Sequence, residues 1–316
     1  MTRNIRNLFY FLILIVIVTF ISLISYGFAS AHQHAGKKLH SVPLPVYQKG
    51  TTFVYSDGSW ETVVANSPDK VTWRNHRGYV SNGSADFTRR RTEWQRKSRQ
   101  GIRQFEPRKD LWVRHKTSLW PLKIGNEASY TETGVWQRQG EPENSYRANW
   151  SCEVAGKERV SVMAGEFDTW KIICKRYAGK RISAKSRLRE VKTWHYAPEV
   201  GHYVLATRQY YTGKPSKRLE LLAVLPPVDG LSASARRRLQ SKFQKALEFK
   251  KSGEALKWSL PKSALSGEIM PTGTFRLDKG QYARRYVQTL NYPQGQQTYY
   301  GMAVRDAKGR WIVPRR

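Results

Sequence analysis

Acidic side chains are scarce in this chain. Against 55 Lys+Arg there are 24 Asp+Glu in 316 residues, a net charge of +31, which leaves two readings open, a surface for anionic partners and a solvated basic surface that only maintains solubility. Cysteine is almost missing. Two residues, Cys152 and Cys174, are too few for a disulfide-stapled small scaffold or a thiolate metal cluster. No nucleophile elbow, phosphate loop, metal cluster or paired carboxylate appears in a recognisable context. The reading is therefore non-enzymatic, with no catalytic residue, no metal, no cofactor and no small-molecule substrate. His32-x-His34 lacks a third ligand, and His195 and His202 flank a proline turn with no Ser or Cys nucleophile beside them.

Long apolar runs are also rare, with one exception. Leu8–Phe28 carries no charge, and its 21 residues span roughly 31 Å as a helix, close to the roughly 30 Å of a bilayer interior. Arg3 and Arg6 precede it and hold the N-terminus in the cytoplasm. Two outcomes stay open at this point. The segment is an uncleaved anchor, giving a single-pass inner-membrane protein with its body in the periplasm, or a signal cleaved after Ala31, giving a periplasmic or secreted one. Both export the body. The polyanions available there are lipid headgroups, lipopolysaccharide and acidic polysaccharide, with envelope proteins as further partners; nucleic acid would need a cytoplasmic body or a role in DNA uptake.

What is plentiful is aromatic: Trp 11, Tyr 17 and Phe 11. They recur in short alternating runs bounded by turn residues, as in Thr52–Ser56, Asp57-Gly58 and Trp60–Val64, which is hairpin grammar. Trp150, Cys152 and Val154 step by two, as do Trp170, Ile172 and Cys174, so each thiol shares a strand face with a tryptophan. In an oxidising compartment the pair is expected to form a Cys152–Cys174 disulfide. Phe87–Trp112 mixes Arg89, Arg90, Arg91, Arg96, Lys97 and Arg99 with aromatics. These residues are candidates for an anionic surface, the bland alternative being a strand pair with its rings inward and its arginines outward.

Pro226–Gly230 breaks the pattern and a helix follows, with Ser232 or Ser234 as N-cap and Leu239, Phe243, Ala246 and Leu247 as an apolar stripe. Its polar face carries Arg236, Arg237 and Arg238, further anionic-surface candidates. The stripe is expected to pack on the sheet that follows it rather than lie on a bilayer. The fold class is mainly β with a smaller α+β C-terminal domain. Its divisions are a membrane anchor or signal segment at 1–31, a linker at 32–49, an antiparallel β domain at 50–225, a linker at 226–230 and an α+β domain at 231–316.

Two resemblances accompany this reading. Val160-x-Val162-x-Ala164-Gly165-x-Phe167-Asp168-Thr169, then Trp194-x-Tyr196-Ala197-Pro198-Glu199-Val200-Gly201, the closing Arg218–Ala223 and the earlier Leu119-x-Pro121-Leu122 resemble a family of exported, uncharacterised bacterial β-sheet proteins, over about Gly50 to Val224. Ser266–Pro271, Tyr282–Tyr286, Tyr300–Arg305 and Gly309–Val313 resemble the C-terminal domain of the rickettsial-type bacterial surface-antigen family, over Leu231 to Pro314. That resemblance implies envelope association rather than a reaction, and its members commonly carry cysteines where Ala283 and Val304 stand here. Two alternatives remain: a β-sheet carrier for lipid or lipoprotein, which needs an apolar cavity, and an envelope-polymer hydrolase, which needs a cleft with perturbed acidic or His residues.

Overall fold

Strands with one apolar face must stack or close to bury it. In the computed structural model, which describes residues 41–107, 118–178, 187–228, 230–260, 265–278 and 280–316, they close. The first half of the ring comprises β1 (Thr52–Tyr55), β2 (Trp60–Asn66), β3 (Val71–Asn75), β4 (Val80–Gly83), β5 (Glu93–Arg96) and β6 (Arg99–Pro107). The second half comprises β7 (Glu127–Arg138), β8 (Asn144–Val162), β9 (Gly165–Tyr177), β10 (Leu188–Ala197), β11 (His202–Tyr210) and β12 (Lys217–Leu225). Each strand pairs antiparallel with the next. β12 returns to β1 through Thr52↔Leu225, Phe53↔Val224 and Val54↔Ala223, closing a twelve-stranded barrel with no free edge.

The turn chemistry is local. At the β1–β2 hairpin Gly58 sits at φ 79° and donates its N–H to the Tyr55 carbonyl at 2.9 Å. Pro198 follows the last residue of β10, as a residue that cannot donate to a ladder should. Cys152 and Cys174 are register partners on β8 and β9, and they are bonded, as expected.

After β12 come α1 (Ala233–Phe249) and a five-stranded antiparallel sheet of β13 (Leu256–Leu260), β14 (Leu265–Arg276), β15 (Tyr282–Tyr292), β16 (Gly295–Arg305) and β17 (Trp311–Ile312). Of the two N-cap candidates, Ser232 serves: its Oγ accepts from the Ala235 N–H at 3.2 Å. Leu239, Ala246 and Leu247 are buried and the helix lies on the sheet, as its stripe requires. Arg284 donates to the carbonyls of Leu247 and of Lys250, the latter at 2.8 Å, satisfying orphan acceptors at the helix end. Its neighbour Arg285 points the other way and donates to Val162 O at 2.9 Å and Met163 O at 3.2 Å on the barrel. One bridge, Ala223↔Gly301, joins sheet to barrel.

The segments on either side of 226–230 share packing. Phe53, Leu221 and Val224 belong to the same apolar cluster as Leu239, Ala246, Trp258 and Ile269. The mainly β expectation holds, and α1 is the one helix of three turns or more among the described residues. The 32–49 linker needs correction over its described part, because Val42 is bridged to Leu122, and Tyr47 is 4% exposed with its hydroxyl on His202. These two apolar anchors in a polar stretch were too sparse to show a period. Leu8–Phe28 lies outside the described residues, among which no helix is long and apolar enough to cross a membrane.

Ala283 and Val304 face each other in register across β15 and β16, both buried. The double variant Ala283→Cys/Val304→Cys should therefore oxidise to a bridge without strand movement. It is expected to raise stability by up to roughly 3 kcal/mol on loop-closure grounds. Thiol titration and chemical denaturation check this; thiols that stay free in air would contradict the register.

Candidate functional site: a cationic barrel mouth over a buried charge network

Four strands carry the site on one face. Register rows run Arg96↔Arg99↔Arg138, then Trp94↔Gly101↔Trp136, then Arg103↔Gly134↔Tyr146, then Phe105↔Glu132↔Ala148, across β5 to β8. Period two puts these on the same face as buried Tyr130 and Trp150, so the face looks into the barrel. The outer arginine row lies at the rim, where Arg96, Lys97 and Arg99 are exposed. Guanidinium groups stack on the indoles behind it, with Arg99 at 5.2 Å from the Trp136 ring and Arg103 at 4.9 Å from that of Trp94. Gly134 has no alternative here, since a Cβ would stand 2.6 Å from the Tyr146 ring that crosses it.

Below the rim sits Glu132, 0% exposed. Its Oε1 accepts from Tyr146 OH at 2.7 Å and Arg90 Nη1 at 3.1 Å, with Arg103 Nε at 3.4 Å, and its Oε2 accepts from Trp150 Nε1 at 2.9 Å. A buried carboxylate survives only with such saturation. Burial, and donation to Glu132, push the Tyr146 hydroxyl above the ordinary range. Burial, then the neighbouring Arg90, pull the Arg103 guanidinium below its own.

Beyond Trp150 lies a second buried group. Lys192 Nζ is 4.5 Å from the Trp150 ring centroid, and its strand neighbours are Cys174 on one side and Arg208 on the other. Two residues away on the same face, Glu190 accepts from Arg176 at 2.9 Å and meets Arg208 at 3.0 Å. Lys192 has no ion-pair partner among the described residues. Burial first, then Arg208, pull its ammonium down to about 7, with Arg90 adding and Glu190 and Glu132 opposing.

This arrangement fixes a pH dependence. The folded state releases the Lys192 proton near pH 7, whereas an unfolded lysine holds it to about 10.4, so between these values unfolding takes up a proton and stability rises with pH. Buried tyrosines act oppositely. The Tyr196 hydroxyl is pushed up to about 12 by burial, so above about pH 10 the unfolded state ionises first and stability falls. Denaturation midpoints in phosphate-free buffer should climb from pH 7 to about 9 and drop beyond about 10, and Lys192→Met should flatten the climb. A climb of equal size in that variant would contradict the assignment.

The sequence candidates divide. Arg89 pairs with Asp86 at 3.4 Å, Arg90 with Glu132, and Arg91 with Glu61 at 3.1 Å while lying 4.2 Å from the Trp73 ring. These three face carboxylates because 86–92 is a turn rather than a strand: Asp86 Oδ1 accepts from the Thr88 N–H at 3.0 Å and from its hydroxyl at 2.5 Å. Arg96, Lys97 and Arg99 sit together at the rim, and Lys97 turns the β5–β6 hairpin at φ 52°. Arg236, Arg237 and Arg238 are exposed on α1. Arg103 is one of the basic residues that Phe87–Trp112 interleaves with aromatics, whereas sequence reasoning missed Glu132, Tyr146, Glu190, Lys192 and Arg208. Charged residues at the inward positions of strands otherwise lined by Tyr130 and Trp150 were the available signal.

Two adjoining grooves mark the same edge. One of about 490 Å³ includes Asn82, Gln95, Gln100, Ile102, Val135 and Gln137 in its lining. The other, about 390 Å³, shares Gln95, Gln100 and Gln137 and adds Lys97, Arg99 and Arg138 with no carboxylate in its lining. His202 has a structural role: Tyr47 OH lies 2.9 Å from Nδ1 and Tyr55 OH 3.0 Å from Nε2, and burial holds the ring neutral, well below the ordinary range.

No family model matches the chain. The 17 kDa surface antigen of Rickettsia prowazekii (strain Madrid E) is 40% identical over 78 residues, 25% of this chain and 49% of the antigen. Its counterpart in Rickettsia conorii is 37% identical over 84 residues, 27% of this chain and 53% of the antigen. The chain spans about half the length of these curated relatives. The surface-antigen resemblance of the tail motifs is borne out to that extent. Among solved structures, the hypothetical lipoprotein YmcC of Escherichia coli aligns with a TM-score of 0.36 and 8% identity over 56% of this chain and 85% of that one. A Bacteroides fragilis protein with a YmcC-like fold aligns with a TM-score of 0.31 and 13% identity over 59% and 99%.

Proposed function

We propose that this is a non-enzymatic bacterial envelope protein, tethered at its N-terminus and facing the periplasm, whose basic rim and helix face bind anionic envelope components or acidic partner proteins. In this reading Leu8–Phe28 anchors it in the inner membrane, or cleavage after Ala31 releases it to the periplasm. One observation carries the binding claim: the 390 Å³ groove is lined by Lys97, Arg99 and Arg138 and by no carboxylate. Cross-strand like charges cost stability, and in the Arg96↔Arg99↔Arg138 row only Arg138 has an acidic partner among the described residues, Glu141 at 2.8 Å. An anionic surface offsets that cost. The surface-antigen relatives and the disulfide support an exported setting.

The test compares lipopolysaccharide, phosphatidylglycerol vesicles and DNA side by side in co-sedimentation. The expected order places the envelope ligands above DNA, with Arg96→Ser/Arg99→Ser weakening vesicle binding by about 30-fold at about 1 kcal/mol per cation. Equal binding by wild type and variant would remove the rim from the account. The carrier reading needs an apolar cavity within 50–225, where the buried Trp150, Ile172 and Tyr196 pack in one cluster.

A further inference from the structure

We propose that the barrel end around Lys192 binds a tetrahedral oxyanion of the phosphate class, held by Lys192, Arg90 and Arg208. The site is separate from the rim row.

Charge balance is the first support. Arg90, Arg103, Arg176, Lys192 and Arg208 surround two carboxylates, Glu132 and Glu190, while Arg89 and Asp86 alongside neutralise each other. With Lys192 protonated, three positive charges are left over in a place where desolvation is costly, and a dianion removes most of that excess where a single carboxylate would not. Geometry is the second. Lys192 is 4% exposed and has neither an ion-pair nor a hydrogen-bond partner among the described residues, its near neighbour being the face of Trp150. An ammonium left unpaired among guanidinium groups is the arrangement a phosphate would complete. Access is the third. The side chains of Arg90 and Arg208 are 45% and 38% exposed, yet each reaches a carboxylate that is at most 7% exposed, so both run from solvent to the buried site. Burial first, and then repulsion among these cations, lowers both Arg103 and Lys192 from their ordinary ranges, and the repulsion is what a bound dianion would relieve.

The experiment is thermal denaturation of the full chain in phosphate-free buffer, titrated with inorganic phosphate against sodium chloride at equal ionic strength. Phosphate should raise the wild-type midpoint more than chloride does. Lys192→Met should weaken the apparent affinity at least about tenfold, the scale of a lost charge-assisted hydrogen bond. Lys123→Met, which removes an exposed cation elsewhere, should respond as wild type. A second readout needs no variant: phosphate should shield Lys192 from reductive methylation, followed by mass spectrometry. Phosphatidic acid vesicles that compete with inorganic phosphate would identify a lipid headgroup as the source, and vesicles that do not would identify the free ion. A wild-type midpoint that follows ionic strength alone, or equal phosphate responses with Lys192 and with methionine, would overturn the site. Vesicle binding through the rim would survive that result, so the two readings fail separately.

Discussion

Glu132→Ala is expected to lower the stability of the barrel by about 3–5 kcal/mol, the cost of leaving buried cationic and polar groups without their acceptor. Arg90, Arg103, Tyr146 and Trp150 all converge on this one carboxylate. Arg103 is 8% exposed and cannot turn to water for compensation. Glu132→Gln keeps the shape and part of the accepting capacity but removes the charge, so its loss should be smaller than that of alanine. Adding Arg103→Met to Glu132→Gln should recover part of the loss, because it removes a cation the amide no longer balances. Urea denaturation of the three variants reads these differences. A loss below about 1 kcal/mol for Glu132→Ala would show that the network relaxes rather than depends on its centre.

The second large effect belongs to the disulfide. Cys152 and Cys174 are separated by 22 residues and are 1% and 0% exposed. Closing a loop of that length is worth about 3 kcal/mol through the unfolded state. Cys152→Ala/Cys174→Ala should lose about that much, with a further decrement from the cavity left beside Trp150 and Lys192. The two single variants should each lose as much as the double, since either one opens the bridge. Near-identical denaturation curves for oxidised wild type and the double variant would show that the ladder alone fixes this part of the barrel.

Much of the fold was legible because it rests on local rules. The Asp57-Gly58 hairpin, the strand end before Pro198, the apolar stripe of α1 and the pairing of the thiols each follow from residues adjacent in sequence or on one strand face. Closure was not legible. It rests on Thr52–Val54 meeting Ala223–Leu225, a pairing across about 170 residues that no periodicity encodes. The roles of 41–49 were hidden for the same reason, since Tyr47 finds its partner His202 from a segment with no pattern of its own.

The site divides along the same line. Cationic clusters are visible in a sequence as runs, and Arg96, Lys97, Arg99 and Arg236–Arg238 are where such runs put them, on an exposed turn and an exposed helix face. Arg89–Arg91 read the same in sequence but meet Asp86, Glu132 and Glu61 in space, because the turn held by Asp86 aims them inward. Lys192 and Glu132 are single charges inside aromatic strands and belong to no run at all. Their significance comes from which strands the barrel sets side by side.

The salt dependence of binding to phosphatidylglycerol vesicles tests most directly whether the cationic rim, in whose arginine row Arg138 alone has an acidic partner among the described residues, holds the protein against anionic envelope surfaces. Affinity should fall steeply as sodium chloride rises through the range where the screening length drops from about 30 Å to about 8 Å. The dependence should be shallower for Arg96→Ser/Arg99→Ser than for wild type. Wild-type binding indifferent to salt, or the same dependence in wild type and variant, would contradict that role of the rim.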